Sequence, residues 1–276
     1  MKSYASFLVS FLAFILVVPA CKKDNTSQKG NQKTFPLNTE WTGTLHLGTQ
    51  LYDQPCYLRV NDNETVSIYS LFAFIIDGNI EYKDSLTGPV TNISNENGAV
   101  NVEADLPDLP IIGGHTTFTI KDNKLTCASR SGDFVVLHLD LFPDKMISIE
   151  GTWSGPVMHG GPLEGRHAYP DLSSIIFGAD GTTTYKRNGE IAQIKVPQFG
   201  TFTIVKGGYT QQGAMVWMDG YNESSQKTVP YFGVLTASGD KMMVNSRNRI
   251  DGRLPSHTAT IDWNGPKGVT PVIERQ

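Results

Sequence analysis

Ser174-Ile-Ile-Phe-Gly-Ala-Asp-Gly-Thr-Thr-Thr-Tyr185 carries the clearest local signal in the chain. β-Branched and aromatic residues flank Asp180-Gly181, and a glycine accepts the positive φ that a tight hairpin turn demands, so the stretch reads as strand, turn, strand. Tyr57-Leu-Arg-Val-Asn-Asp-Asn-Glu-Thr-Val-Ser-Ile-Tyr69 has the same order, with Asp62-Asn63-Glu64 at its turn. That turn offers oxygens to Ca²⁺ but too few for a recognisable loop, so a hairpin is the expectation.

Outward from these two stretches the pattern continues. Val100-Asn-Val-Glu-Ala-Asp105, Phe118-Thr-Ile-Lys121 and Ala259-Thr-Ile-Asp-Trp263 alternate apolar and polar residues, as strands with one wet face do. Asp77-Gly78, Asn97-Gly98, Asn188-Gly189, Asp219-Gly220 and Asp251-Gly252 lie between such runs and are read as further hairpin turns. From Thr39 onward no window carries apolar residues at helical spacing, so the expected class is all-β and antiparallel.

The chain can be laid on itself. Trp41-Thr-Gly-Thr and Trp153-Ser-Gly-Pro stand 112 residues apart, and the two quoted hairpins follow them in order. Phe118-Thr-Ile-Lys-Asp-Asn-Lys-Leu-Thr-Cys127 then matches Val234-Leu-Thr-Ala-Ser-Gly-Asp-Lys-Met-Met-Val244. Phe134–Phe142 and His257–Trp263 are the expected closing strands. Two tandem domains follow, 38–144 and 145–276; one large barrel or sandwich is the alternative.

Gly151-Thr-Trp153 followed by the Asp180-Gly181-Thr182 hairpin resembles the opening of calycins, the lipocalin and avidin-like up-and-down barrels. In the first half, Trp41-Thr-Gly-Thr-Leu45, Leu71-Phe-Ala-Phe-Ile-Ile76 and Thr117–Thr126 look like the calycin-like domains of bacterial surface lipoproteins. The resemblance implies two tandem eight-stranded barrels and a ligand-binding role. It also implies an arginine over the opening tryptophan, a place to which the sequence assigns no residue.

The N-terminus supplies an address. Lys2 precedes an apolar run of about 14 residues, Phe7 to Ala20, which is short of the roughly 20 needed to span a bilayer and reads as a secretory signal over 1–20. Val18-Pro19-Ala20-Cys21 resembles a lipobox, which implies cleavage before Cys21 and its acylation. Residues 21–37 are then the lipidated cysteine and a polar tether. With Lys22 in second place, where an inner-membrane retention signal has Asp, the expected location is the outer membrane, facing either the periplasm or the outside.

Lys+Arg number 23 against 27 Asp+Glu, a formal charge of -4 that argues against nucleic acid as a partner. Lys22, Lys23, Lys29 and Lys33 against Asp24 leave the tether at +3 and Lys2 the signal at +1, so 34–276 carries -8. Membrane attachment therefore rests on the lipid rather than on a basic surface. The chain carries no G-x-S-x-G, H-E-x-x-H, G-x-x-x-x-G-K-[ST] or C-x-x-C signature, and Gly151-Thr-Trp-Ser-Gly155 has its serine one place out of register. His159, Glu164 and His167 form a tight metal-capable group, but in a Gly/Pro-rich stretch that reads as a surface loop. Carboxylate pairs such as Asp105 and Asp108, or Asp140 and Asp144, read as solvated surface. The expectation is a protein that is not an enzyme and uses no cofactor or metal.

Cys56 and Cys127 remain once Cys21 is acylated; an even count permits one disulfide, and two buried thiols are the alternative. Aromatics are the candidate ligand contacts. Trp41, Trp153 and Trp263 read as core, leaving Trp217, Tyr209 and Tyr221 as the candidates. Ala214-Met-Val-Trp-Met218 is apolar on both faces, so a ligand, the other domain or a partner protein must cover its outer face. The expected function is that of a lipid-anchored outer-membrane protein binding a small ligand, a glycan or an apolar molecule, or a partner protein. A structural subunit of a cell-surface assembly is the alternative.

Overall fold

A computed structural model describes residues 37–47, 53–76, 79–107, 114–129, 135–155, 157–159, 167–169, 174–187, 190–196, 200–204, 206–222, 227–246 and 272–276. Contacts divide the chain into Met1–Lys33 and Thr34–Gln276, and every described residue belongs to the second unit. Cys21 and the tether residues before Leu37 lie outside the described residues. No helix occurs among the described residues.

The first eight strands are β1 (Thr39–Leu47), β2 (Gln54–Val60), β3 (Thr65–Ile76), β4 (Asn79–Glu96), β5 (Ala99–Asp105), β6 (His115–Lys121), β7 (Lys124–Ser129) and β8 (Val135–Phe142). They pair in chain order, all antiparallel, and β8 returns to β1 from Glu40↔Phe142 to Leu47↔Val135, closing the barrel. Two-residue turns with both residues at positive φ match the twist of the strands they join. Asn97 (φ 49°) and Gly98 (φ 79°) make one, and Asp122 (φ 51°) and Asn123 (φ 59°) another. Alternation sends Trp41, Leu45, Cys56, Leu58, Phe118 and Leu137 inward, all buried.

Twelve strands follow. They are β9 (Gly151–Ser154), β10 (Val157–His159), β11 (His167–Tyr169), β12 (Ser174–Phe177), β13 (Thr182–Arg187), β14 (Glu190–Val196), β15 (Gly200–Ile204), β16 (Lys206–Gln212), β17 (Met215–Asn222), β18 (Lys227–Leu235), β19 (Lys241–Ser246) and β20 (Val272–Arg275). Eight of them, β9, β12, β13, β16, β17, β18, β19 and β20, pair in that order and β20 returns to β9, a second closed antiparallel barrel. The hairpins β10–β11 and β14–β15 are insertions in an otherwise repeated plan. Ring positions agree with the sequence repeat: β2–β3 with β12–β13, and β6–β7 with β18–β19.

Two expectations are corrected. The second barrel is closed by Val272–Arg275, whereas His257–Trp263, with Trp263, lies outside the described residues. Only Ile273 on this strand is both apolar and buried, and Arg275, next on the same face, is exposed, so the strand shows no apolar alternation. That arginine fills the place left unassigned: its guanidinium carbon lies 5.1 Å from the Trp153 ring centroid, and its Nη2 donates to the Ser148 carbonyl. Trp153 Nε1 in turn donates to Ile149 O at 2.7 Å. Asp219-Gly220 is no turn either, since both residues pair in mid-strand with Pro230 and Val229. Gly213, at φ 56°, takes the left-handed turn position earlier, so β17 runs straight through them.

Candidate functional site

The outer wall of the second barrel is apolar where an isolated barrel would be wet. Register places Met215, Val234 and Met243 in one outward row, and Trp217, Phe232 and Asn245 in the next. Met215, Phe232, Val234, Met243 and Asn245 are all buried. They are covered by the first barrel, whose outward Tyr57, Leu71 and Phe142 belong to the same apolar cluster. Within this interface the Asn245 amide Nδ2 donates to Gln54 Oε1 of β2. The outer face of Ala214–Met218 is thus covered by the other domain.

This arrangement places the sequence candidates apart. Trp217 is half-buried at the edge of the covered wall, its ring centroid 4.5 Å from that of Phe232. Tyr209 pairs with Met218 on the opposite, inward face; its hydroxyl donates to Gly178 O at 2.9 Å and its ring meets Phe177 edge-on at 5.1 Å. Burial, then the Glu150 and Asp180 carboxylates, raise its hydroxyl above the ordinary tyrosine range. Tyr221 sits on β17 opposite Thr228, and its side chain lies outside the described residues. Trp217 and Tyr209 therefore belong to opposite faces of one wall and do not share a pocket.

Cys56 and Cys127 are free thiols, both buried in the first barrel's core. Burial pushes Cys127 up to about 12, and burial together with the neighbouring Cys127 pushes Cys56 higher still. Such thiols are poor nucleophiles and poor metal ligands. β10 and β11 set His159 directly opposite His167, but these side chains and Glu164 lie outside the described residues. Among the described residues no group of three metal-capable side chains occurs.

A cleft of about 420 Å³ opens between the barrels, at the start of β1, the end of β8 and the β16–β17 turn. Leu141, Phe142 and Met146 supply an apolar side, Met146 being 95% exposed. Glu40 and Gln211 supply a polar side. Gly213 makes the arrangement feasible: a Cβ there would lie 2.0 Å from Glu40 Oε2, so only a glycine lets that carboxylate rest against the turn. Gln211 Nε2 donates to Ile147 O at 2.6 Å and to Gly213 O at 3.0 Å, fixing the turn to the inter-barrel linker.

Behind Glu40 lies a polar cluster. Glu40↔Arg59 and Thr42↔Tyr57 are successive cross-strand pairs on the outward face of β1 and β2. Thr42 Oγ1 and Arg59 Nε are buried with no hydrogen-bond partner, and the buried Tyr57 hydroxyl faces the Glu40 carboxylate. Burial first, and then the Glu40 carboxylate, push the Tyr57 hydroxyl far above its usual range, with Arg59 opposing. Orphaned buried donors are rare because each forfeits its hydration without replacement, about 1–3 kcal/mol apiece. Of these residues, Tyr57 packs into the apolar cluster shared with the second barrel.

No protein-family model matches this chain, and no curated protein does.

Proposed function

We propose that the protein is a non-enzymatic, lipid-anchored protein of the outer membrane that binds a small ligand, or a partner protein, in the groove between two paired barrels. One observation carries this reading: the barrel interiors are occupied by their own side chains, while a cleft of about 420 Å³ with an apolar and a polar side stands open between them. Trp41, Phe72 and Phe118 in one barrel and Trp153, Tyr185 and Tyr231 in the other are each no more than 2% exposed. Eight-stranded barrels are about wide enough for side chains to fill, so a ligand is best held outside them. The absence of a catalytic signature in the sequence supports a binding role over an enzymatic one.

The address rests on Val18-Pro19-Ala20-Cys21 and on the polar stretch after it. Labelled palmitate should enter the wild type and not a Cys21→Ser variant, which should leave the membrane fraction. A variant that stays membrane-bound without label overturns the anchor. The binding reading is tested by titrating the mature protein with neutral saccharides and with an uncharged naphthylamine dye, and by pull-down from detergent-solubilised outer membrane. Failure of all three would leave a structural subunit of a surface assembly, a reading that the buried inter-barrel interface also fits.

A further inference from the structure

We infer that the lip of the inter-barrel cleft, Leu37 with Met146, rests on the zwitterionic bilayer that carries the anchor, so that the protein stands with the start of β1 toward the lipid. The inference rests on the lipid-anchored reading above and adds an orientation to it. Its ground is where the exposed apolar side chains lie. Met146 is 95% exposed and Leu37 41% exposed. Met146 lines the cleft, and Leu37 directly precedes Asn38, which lines it too. The strands of the first barrel pair in chain order and alternate in direction, so even-numbered strands end at the end of the barrel where β1 starts. Ile93, the third exposed large hydrophobic among the described residues, lies in the half of β4 nearer that end. Apolar residues scattered singly over a surface call for no explanation, whereas these three gather toward one end.

Two further features name the occupant. The chain from Cys21 enters the folded part at Leu37, beside the cleft, after 16 residues that reach at most about 58 Å even fully extended. A bilayer holding the acylated cysteine is therefore never far from the lip. Such tethering supplies a high local concentration, so an apolar contact too weak to bind a free protein suffices to orient an anchored one. Charge selects the kind of surface. Glu40 and Asp144 line the cleft against Lys145, the turns at the same end carry Asp62, Glu64 and Asp122, and residues 34–276 carry -8. An anionic surface would repel this end, and a zwitterionic one does not.

The test uses the mature, acylated protein in phosphatidylcholine nanodiscs that carry a phosphatidylcholine spin-labelled at its headgroup. Isotope-labelled methionine methyls are the reporters, with Met146 assigned by its loss in Met146→Leu. The Met146 methyl should lose most of its intensity to the spin label. A methionine placed by Asp105→Met at the far end of β5, about 20 Å further along the barrel, should keep its intensity. Asp105 is exposed and its His115 partner lies at the surface, so this change keeps the fold. Leu37→Ser, also at an exposed position, should restore much of the Met146 signal while the protein stays on the disc. Equal broadening of the two methyls, or none in either with the protein still on the disc, overturns the inference and leaves the anchor standing. Broadening of Met146 that ignores Leu37→Ser overturns the contact as assigned. A Met146 methyl untouched by the spin label but shifted by the naphthylamine dye gives the lip to a ligand and likewise overturns the inference. Protein that does not stay with the nanodiscs removes the anchor reading, and this inference with it.

Discussion

Cys56 and Cys127 have chemistry that follows from burial alone. A thiol whose folded pKa is raised is held neutral by the fold, and the unfolded chain ionises first as pH rises. Cys127 goes from 9.0 to about 12, and Cys56 moves in the same direction. Their contribution is therefore complete below pH 9.0 and is lost as pH climbs from there toward 12. Stability measured by denaturant should fall across that window. The fall just above pH 9.0 should be shallower in a Cys56→Ala, Cys127→Ala variant, before Tyr57 and Tyr185, with ordinary values of 10.0, add the same sign. In the native protein at about pH 8, a thiol reagent should modify the mature, acylated chain only as fast as it unfolds. Rapid labelling of either cysteine without unfolding would contradict the buried placement. Trp217 is the second residue-scale case. Its ring rests on Phe232 at the rim of the inter-barrel wall, so Trp217→Ala should lower stability by roughly 1–3 kcal/mol, less than a fully buried tryptophan would cost. An unchanged unfolding midpoint would show that this rim contributes nothing.

Among the elements, the short ones depend most on single side chains. β9 and β20 have four residues each, too few to hold a barrel closed by ladder bonds alone. Arg275 adds a cation over Trp153 and a bond to the Ser148 carbonyl, so it fastens the seam between the last strand and the first. Arg275→Ala should cost about 1–2 kcal/mol. Arg275→Lys should recover only part of it, because an ammonium lacks the planar stacking face. Equal stability of the three proteins in urea would remove the seam argument. This seam also marks where the sequence was hard to read. Strands with clean alternation, such as β5 and β6, were legible because each has one wet and one dry face. β20 was not, since the exposed arginine on the same face as Ile273 breaks the apolar pattern. β17 was legible as a strand, but Asp219-Gly220 imitated its end. There a glycine serves no turn; the Asp219 carbonyl instead accepts from Thr183 Oγ1 and Tyr185 Oη at 3.3 Å each.

At the scale of the whole molecule, the two-barrel plan could be read from the repeat, whereas the cleft could not. Glu40, Thr42, Tyr57 and Arg59 alternate with core residues as any solvated strand face would, and nothing local says that Tyr57 packs with a second barrel. The apolar outer face of Ala214–Met218 did announce a covering partner, and that partner is the first barrel. Two consequences follow for unfolding. If Met215, Phe232, Val234 and Met243 must be covered, 34–276 should unfold in one transition. A chain of residues 145–276 alone should then expose that wall and self-associate. The contact to probe is Asn245 with Gln54, both fully buried on facing barrels. Replacing either residue leaves the other amide with a buried polar atom and less to bond, so Asn245→Ala and Gln54→Ala should each cost about 1–3 kcal/mol. Made together, they should cost less than the sum, by a coupling of about 0.5–3 kcal/mol, since the second change removes a group already orphaned. Strict additivity in chemical denaturation, or two separate transitions in the wild type, would mean that the barrels do not rely on each other, and that the cleft between them is not held in one shape.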